Sequence, residues 1–160
     1  MPLRFQPPHA FPHVSLPDLG GAERPLVTAW AEGPALVVVG HRDCATTRLA
    51  LPFVDRIHRR RPPSASVITV LQDDPESARE LVHDLDLTLP VRLEADPYPL
   101  SSELDLRTVP TLMLMGRDGH IARALEGFRR DELEAVAREL GVAGPLFSEA
   151  DAGFPARRPG

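Results

Sequence analysis

The sequence predicts an α/β fold in which a central mixed sheet is flanked by helices. Ala35–Gly40 is a short, uninterrupted and β-branched apolar run, as a buried central strand should be, and Ser66–Leu71 is predicted as a second buried strand. A segment with helical spacing follows each run, which is typical of units that pair parallel strands. Thr111–Met115 and residues 121–125 then flank an Asp-Gly turn, the pattern of an antiparallel hairpin.

The chain divides into an arm, one domain and a tail. Residues 1–13 contain four prolines and are expected to be extended or disordered. Residues 14–141 form the predicted domain, in which residues 14–21 supply a short strand with a glycine turn and residues 25–33 one or two helical turns. Residues 142–160 are rich in turn and breaker residues, which predicts a tail that is either mobile or docked on the domain.

The first two helices are predicted from apolar residues spaced one turn apart. The first begins after Cys44, and Pro52 lies inside it, where a proline should kink it. The second has Asp74 as its N-cap and Pro75 at its first position. A third strand is predicted at Val91–Leu93.

The last helix is expected to open with a capping box and to end at a glycine. Asp131 and Glu134 have the spacing of the box, and Gly141 follows the last apolar residue of the helical pattern. The predicted order of elements is therefore β-α-β-α-β-β-α after an N-terminal extension.

Composition and charge exclude several classes of partner. The 160 residues include 18 basic and 23 acidic side chains, a formal net charge of −5, which argues against nucleic acid or an anionic membrane as partner. No apolar run approaches the roughly 20 residues of a membrane span. The proline-rich start lacks the apolar core of a signal peptide, so the expected location is cytoplasmic. A single cysteine excludes an internal disulfide and a four-cysteine zinc site, and we expect no metal or other cofactor. The oligomeric state is left open.

Several motifs stand in the order in which thioredoxin-fold proteins carry them. Cys44 directly follows the first buried strand and has a proline eight residues further on; Val109 and Pro110 precede the hairpin, and Gly127 precedes the last helix. Over roughly residues 9–141 the sequence resembles the thioredoxin-like superfamily, in its redoxin branch of TlpA-like and AhpC/TSA proteins. The resemblance implies that Cys44 is the nucleophile and that the Val109–Pro110 bond is cis and faces it, an isomer that costs an X-Pro pair only ~0.5–1 kcal/mol.

The residues that carry proton and thiol chemistry in that family are replaced here. Thr47 stands at the position of the resolving cysteine, so the motif is Cys-x-x-Thr. The carboxylates that the family keeps in the central strand or in the next helix would fall at Val38 and Ala50. His41 occupies the position where a peroxiredoxin has threonine or serine. The resemblance therefore implies a monothiol that an external thiol must release, with slow reduction of peroxides.

The candidate catalytic residues are Cys44, Thr47 and Pro110. Free N–H groups at a helix N-terminus stabilise the thiolate, and we expect the Thr47 hydroxyl to donate a hydrogen bond to the sulfur. Arg42 and Arg48 would add positive potential. The alternative is that Cys44 is a small apolar filler beneath the proline loop. The candidate partner-binding residues flank this centre in sequence or precede the hairpin: His41, Arg42, Val109 and Thr111.

Two functions are compatible with these residues. In the first, the chain is a monothiol redox protein of the thiol-disulfide oxidoreductase or antioxidant redoxin type, whose partner is a thiol or disulfide on a protein or a small molecule. In the second, it is a redox-inactive binding module that uses the groove at Val109 and Pro110. Whether it is an enzyme stays open, because a resolving cysteine is lacking. Retention of Cys44 favours the first function, and the loss of both carboxylates favours the second.

Overall fold

The computed structural model describes residues 3–160, so Met1 and Pro2 of the predicted arm lie outside it. Fourteen strands and α-helices follow one another along the chain: β1 His9–Ala10, β2 Ser15–Pro17, β3 Glu23–Pro25, β4 Ala35–Gly40, α1 Ala45–Arg60, β5 Ser66–Leu71, α2 Pro75–Asp84, β6 Val91–Leu93, α3 Pro99–Glu103, β7 Thr111–Met115, β8 His120–Glu126, β9 Phe128–Arg129, α4 Arg130–Glu139 and β10 Arg157–Arg158. Short 3₁₀ turns form at Leu26–Trp30 and Glu149–Asp151.

A six-stranded mixed sheet of order β1-β8-β7-β4-β5-β6 forms the centre of the molecule. The β4, β5 and β6 strands run parallel, whereas β7 is antiparallel to both β4 and β8. The predicted mixed α/β architecture is confirmed. The prediction lacked α3, whose five residues are too few to show a helical period. No helix within residues 3–160 is long and apolar enough to cross a membrane.

The central strand β4 is buried on both faces, which explains its continuous apolar sequence. Side chains alternate across a strand, so Val38 packs into the core beneath α1 and α4, while Val37 and Val39 pack into a second core on the other face. Phe53 and Phe128 belong to the first core, with ring centroids 5.6 Å apart. Pairing with β5 on one side and β7 on the other places β4 inside the sheet, between the two cores.

The N-terminal arm, from residue 3 onward, packs on the domain. His9–Ala10 pair with β8, and Phe11 is buried with its ring 4.8 Å from that of Trp30. Phe5 is buried as well. The prolines left open whether the arm is extended or disordered; from residue 3 onward it is ordered against the domain. Burial of aromatic surface, worth roughly 25 cal/mol per Å², anchors it.

The predicted capping box of α4 is wrong. The helix begins at Arg130, and its N-cap Arg129 makes no capping hydrogen bond through its side chain. Glu134 instead accepts hydrogen bonds from the backbone N–H groups of Leu146 and Phe147, each at 2.9 Å. The carboxylate that fits a local capping pattern therefore holds the C-terminal segment, a contact that spacing along the helix cannot reveal.

Residues 142–160 dock on the domain. Arg56 of α1 forms an ion pair with Asp151 at 2.8 Å, and the Phe154 ring packs edge-on against Phe53 at 5.2 Å. Beyond this point β10 pairs antiparallel with β9 in a separate two-stranded sheet. The tail therefore ends beside the strands that lead into α4.

Candidate functional site

The candidate site lies at the carboxyl end of the central strand β4, where α1 begins. Cys44 is the N-cap of α1 and follows the end of β4 by four residues. Val39 of β4 pairs with Thr111, the first residue of antiparallel β7. The end of one antiparallel strand lies beside the start of its neighbour, so the topology places the Val109–Pro110 loop next to Cys44.

The Cys44 sulfur is held between α1 and the proline loop. It accepts a hydrogen bond from the backbone N–H of Thr47 at 3.4 Å, and its thiol donates to the Val109 carbonyl oxygen at 3.3 Å. The thiol is half-buried and free. The N–H group stabilises a thiolate, and the carbonyl stabilises the protonated thiol. The sulfur therefore faces both the start of α1 and the proline loop.

Pro110 is buried behind this contact, and the Val109–Pro110 peptide bond is cis. The Pro110 carbonyl oxygen accepts a hydrogen bond from the Gly127 N–H at 2.8 Å, and this bond ties the proline loop to the residue between β8 and β9. Gly127 has φ +76°, a backbone conformation that favours glycine. The proline loop and the glycine therefore form one continuous surface beside Cys44.

Thr47 contacts the sulfur through its backbone, and the expected hydrogen bond from its hydroxyl is not formed. Its side chain is fully buried and packs against Gly40, where a Cβ would come within 2.7 Å of Thr47 Cγ2. The hydroxyl oxygen accepts from His41 N–H at 3.4 Å. Close packing beneath the end of β4 turns the hydroxyl away from Cys44.

Thr111, a predicted partner-binding residue, belongs to the core. It is completely buried at the start of β7, and its hydroxyl donates to the Thr108 carbonyl oxygen at 2.7 Å. The bond satisfies the hydroxyl within the loop. The Thr111 side chain is therefore not available to a partner, and it braces the proline loop.

The two arginines near Cys44 direct their charges toward α2. Arg42 forms an ion pair with Glu80 at 2.8 Å, and Arg48 lies 3.8 Å from Asp84. Both pairs are exposed to solvent, where such contacts contribute little stability. The positive potential that the sequence suggested for the sulfur is therefore shared with the carboxylates of α2.

A histidine–aspartate pair lies next to the Cys44 loop. His41 Nε2 is 3.5 Å from Asp73 Oδ1, and His41 Nδ1 accepts from the Asp43 backbone N–H at 3.1 Å, which places the ring proton on Nε2. Burial raises the pKa of Asp73, and the hydrogen bond from Arg42 N–H partly opposes that shift. Sequence reasoning missed Asp73. Its position after β5 could have predicted it, because β5 runs parallel to β4. The carboxyl ends of parallel neighbours lie side by side, so residues that follow β5 lie near those that follow β4.

The two positions where a family carboxylate would stand are apolar core positions. Val38 and Ala50 are both fully buried in the core between the sheet and α1. Within residues 3–160, no group of three histidine, cysteine, aspartate or glutamate side chains is arranged to hold a metal ion.

Residues 156–160 lie along the proline loop beside Cys44, and the surface that they cover is a candidate binding groove. We call it the Pro110 groove; its wall residues are Thr46, Thr108, Val109 and Gly127. Residues 156–160 lie against all four of these, and Thr46 donates a hydrogen bond to the Pro159 carbonyl oxygen at 2.6 Å. Sequence reasoning missed both Thr46 and this occupant, because the hydrogen bond joins residues 113 positions apart.

Solved structures share this architecture. A candidate protein disulfide isomerase from Bacteroides thetaiotaomicron superposes with a TM-score of 0.76 at 15% identity, over 87% of this chain and 91% of that one. The thioredoxin domain of a Bacteroides vulgatus thiol-disulfide oxidoreductase gives 0.74 at 14% identity, over 86% and 99%. A secreted Mycobacterium tuberculosis disulfide oxidoreductase gives 0.66 at 15%, over 80% and 96%.

Neither a protein-family model nor a curated protein sequence matches the chain. At identities of 14–15%, the structural matches establish the fold. The resemblance to thioredoxin-fold proteins is therefore confirmed: the chain has the thioredoxin fold.

Proposed function

We propose that this thioredoxin-fold chain is a monothiol redox protein in which Cys44 exchanges with a thiol or disulfide partner beside Pro110. One observation carries the proposal. The only cysteine is the N-cap of α1, where its sulfur accepts the Thr47 N–H and touches the Val109 carbonyl that precedes Pro110. A buried filler cysteine would need no such position at the edge of a groove.

The proposed exchange has two steps. The Cys44 thiolate attacks one sulfur of a disulfide R–S–S–R′, forming Cys44–S–S–R and releasing R′–S⁻, which takes up a proton from solvent. An external thiol R″–SH then attacks the R sulfur, forming R″–S–S–R and returning Cys44 as a thiol. Thr47 offers no second sulfur, so the mixed disulfide persists until that thiol arrives.

The similar solved structures support a sulfur-bearing partner. Two of them are described as a disulfide oxidoreductase and a thiol-disulfide oxidoreductase, and both share the overall fold of this chain. Val38 and Ala50 provide no carboxylate for proton transfer, so turnover should be slower than in proteins that carry one. His41 lies in the same loop as Cys44 and is paired with Asp73.

Mixed-disulfide formation with glutathione disulfide tests the proposal directly. The folded chain should form a Cys44–glutathione adduct at pH 7 faster than the same chain unfolded in urea, as measured by intact mass. Excess reduced glutathione should then remove the adduct. Cys44→Ser is the control and should form none. If the folded chain forms the adduct no faster than the unfolded one, both at full length and after removal of residues 157–160, which lie over the proline loop, the redox role is wrong.

A binding module without redox turnover is the second candidate. The observation that favours it is the Pro110 groove, which holds an extended segment through residues 156–160 and would hold a peptide without any sulfur chemistry. The two candidates differ in their dependence on sulfur. A partner retained equally by the parent chain and by Cys44→Ser supports the module, whereas a partner lost with the sulfur supports the redox protein.

A further inference from the structure

The last five residues of the sequence form a strap across the Pro110 groove. Arg157 and Arg158 pair antiparallel with β9, and Arg130 N–H donates to the Ala156 carbonyl oxygen at 2.9 Å. The chain then passes Thr46, whose hydroxyl binds the Pro159 carbonyl. Thr46 is buried, so the hydrogen bond to Pro159 gives its hydroxyl the partner that solvent cannot supply.

The fit of the strap depends on two glycines. A Cβ on Gly127 would come within 2.5 Å of the Arg158 carbonyl oxygen, so this wall can approach the strap only as glycine. A Cβ on Gly160 would overlap with the Val109 carbonyl oxygen and with Thr108 Cγ2. Gly160 thus contacts the carbonyl oxygen that accepts the Cys44 thiol. The strap ends directly beside the reactive sulfur.

The segment that precedes the strap is anchored on the domain, and this anchoring keeps the strap close to the groove. Asp151 accepts two hydrogen bonds from the Arg56 guanidinium, at 2.8 and 3.3 Å, and Phe154 packs against Phe53. An anchored segment a few residues from its site has a high effective concentration there. A free peptide that binds the groove would have to compete with this effective concentration of the strap.

We propose that residues 156–160 are an intramolecular occupant of the Pro110 groove, which a partner peptide must displace to reach Cys44. The strap pairs with β9 as an added strand, so the competing partner is an extended polypeptide. The residue that it places against Val109 must be small, as Gly160 is. The identity of the partner as a thiol or disulfide rests on the proposed function, whereas the contact between strap and groove does not.

Access of reagents of two sizes to Cys44 tests the strap. The alkylation rate of Cys44 by a polyethylene-glycol maleimide, divided by the rate with N-ethylmaleimide, reports access and cancels thiol reactivity. Deletion of residues 157–160 should raise this ratio at least about tenfold, because several hydrogen bonds to the strap are lost together. Gly160→Val should raise it in the same direction without removing any residue.

Gly153→Val is the matched control, because a Cβ at Gly153 meets nothing within 4 Å. It should leave the ratio at the parent value. A ratio that stays within twofold of the parent in Gly160→Val, or in a folded deletion variant, overturns the strap. If the deletion variant does not fold, Gly160→Val alone decides, since it keeps every anchoring contact.

A synthetic peptide of residues 154–160 supplies the strap from outside. It should protect Cys44 of the deletion variant from the large maleimide and have at least about tenfold less effect on the parent chain, whose groove is filled. The same peptide with valine as its last residue should protect less. Equal protection by the two peptides would contradict the required small residue. Because neither assay uses a disulfide, the strap can stand if Cys44 forms no glutathione adduct, and it can fall while the redox role stands.

Discussion

Replacement of Asp151 by asparagine should release the C-terminal segment in a pH-dependent way. The side chain is 7% exposed and accepts from Arg56 at 2.8 Å and from Ser148 N–H at 2.9 Å. These hydrogen bonds, that from Arg56 first, lower the pKa of Asp151 from 3.8 to about 2. A shift of this size corresponds to roughly 2 kcal/mol of stability from the charged carboxylate.

The sign of the effect follows from the lowered pKa. The folded chain holds the charged form more tightly than the unfolded chain does, so the stabilisation is fully present above about pH 4. It is lost as the pH falls through 3.8 toward about 2. Asp151→Asn should therefore lower the free energy of unfolding by about 2 kcal/mol at pH 7 and by almost nothing near pH 2.

Urea unfolding of the parent and variant at pH 7, 4 and 2.5 measures this difference. Glu149→Gln is the control, because Glu149 lies in the same turn, is exposed and forms no ion pair among residues 3–160. It should change stability by less than about 0.5 kcal/mol at each pH. An Asp151→Asn loss that is the same at pH 7 and 2.5 would refute the electrostatic reasoning. No loss at pH 7 would show that the Arg56–Asp151 ion pair contributes nothing to the stability of the domain.

Three further predictions concern the site and its support. Thr47→Cys should form a disulfide with Cys44 under mild oxidation, because one helical turn can meet the Cα separation of about 4.4–6.8 Å; two free thiols in the folded variant would contradict the site geometry. Asp55→Ala should lower the free energy of unfolding by about 3–5 kcal/mol in urea, since this buried carboxylate accepts backbone and guanidinium N–H groups that would lose their partner. Thr111→Val should lower it by about 1 kcal/mol through loss of the bond to Thr108, and a change in partner affinity without a change in stability would show that the side chain is not part of the core.

The sequence determined the elements that bury a continuous or periodic apolar surface. β4 and β5 could be predicted because both faces of each strand are covered, which favours short, mostly apolar and β-branched runs. The position of Cys44 at the start of α1 could be predicted for the same reason, since strand and helix both have regular periods that meet there. The arrangement of the proline loop opposite it came from the resemblance.

The tertiary structure alone decided which polar groups face the sulfur and what fills the groove. Thr47 has the right spacing to donate its hydroxyl to Cys44, yet packing against Gly40 turns that hydroxyl to His41. Glu134 has the spacing of a capping residue and binds the tail instead. Residues 142–160 have no period of their own, because an ion pair, a ring contact and hydrogen bonds to distant residues hold them. Periodicity reports the burial of apolar surface, whereas single polar contacts between distant residues leave no repeat in the sequence.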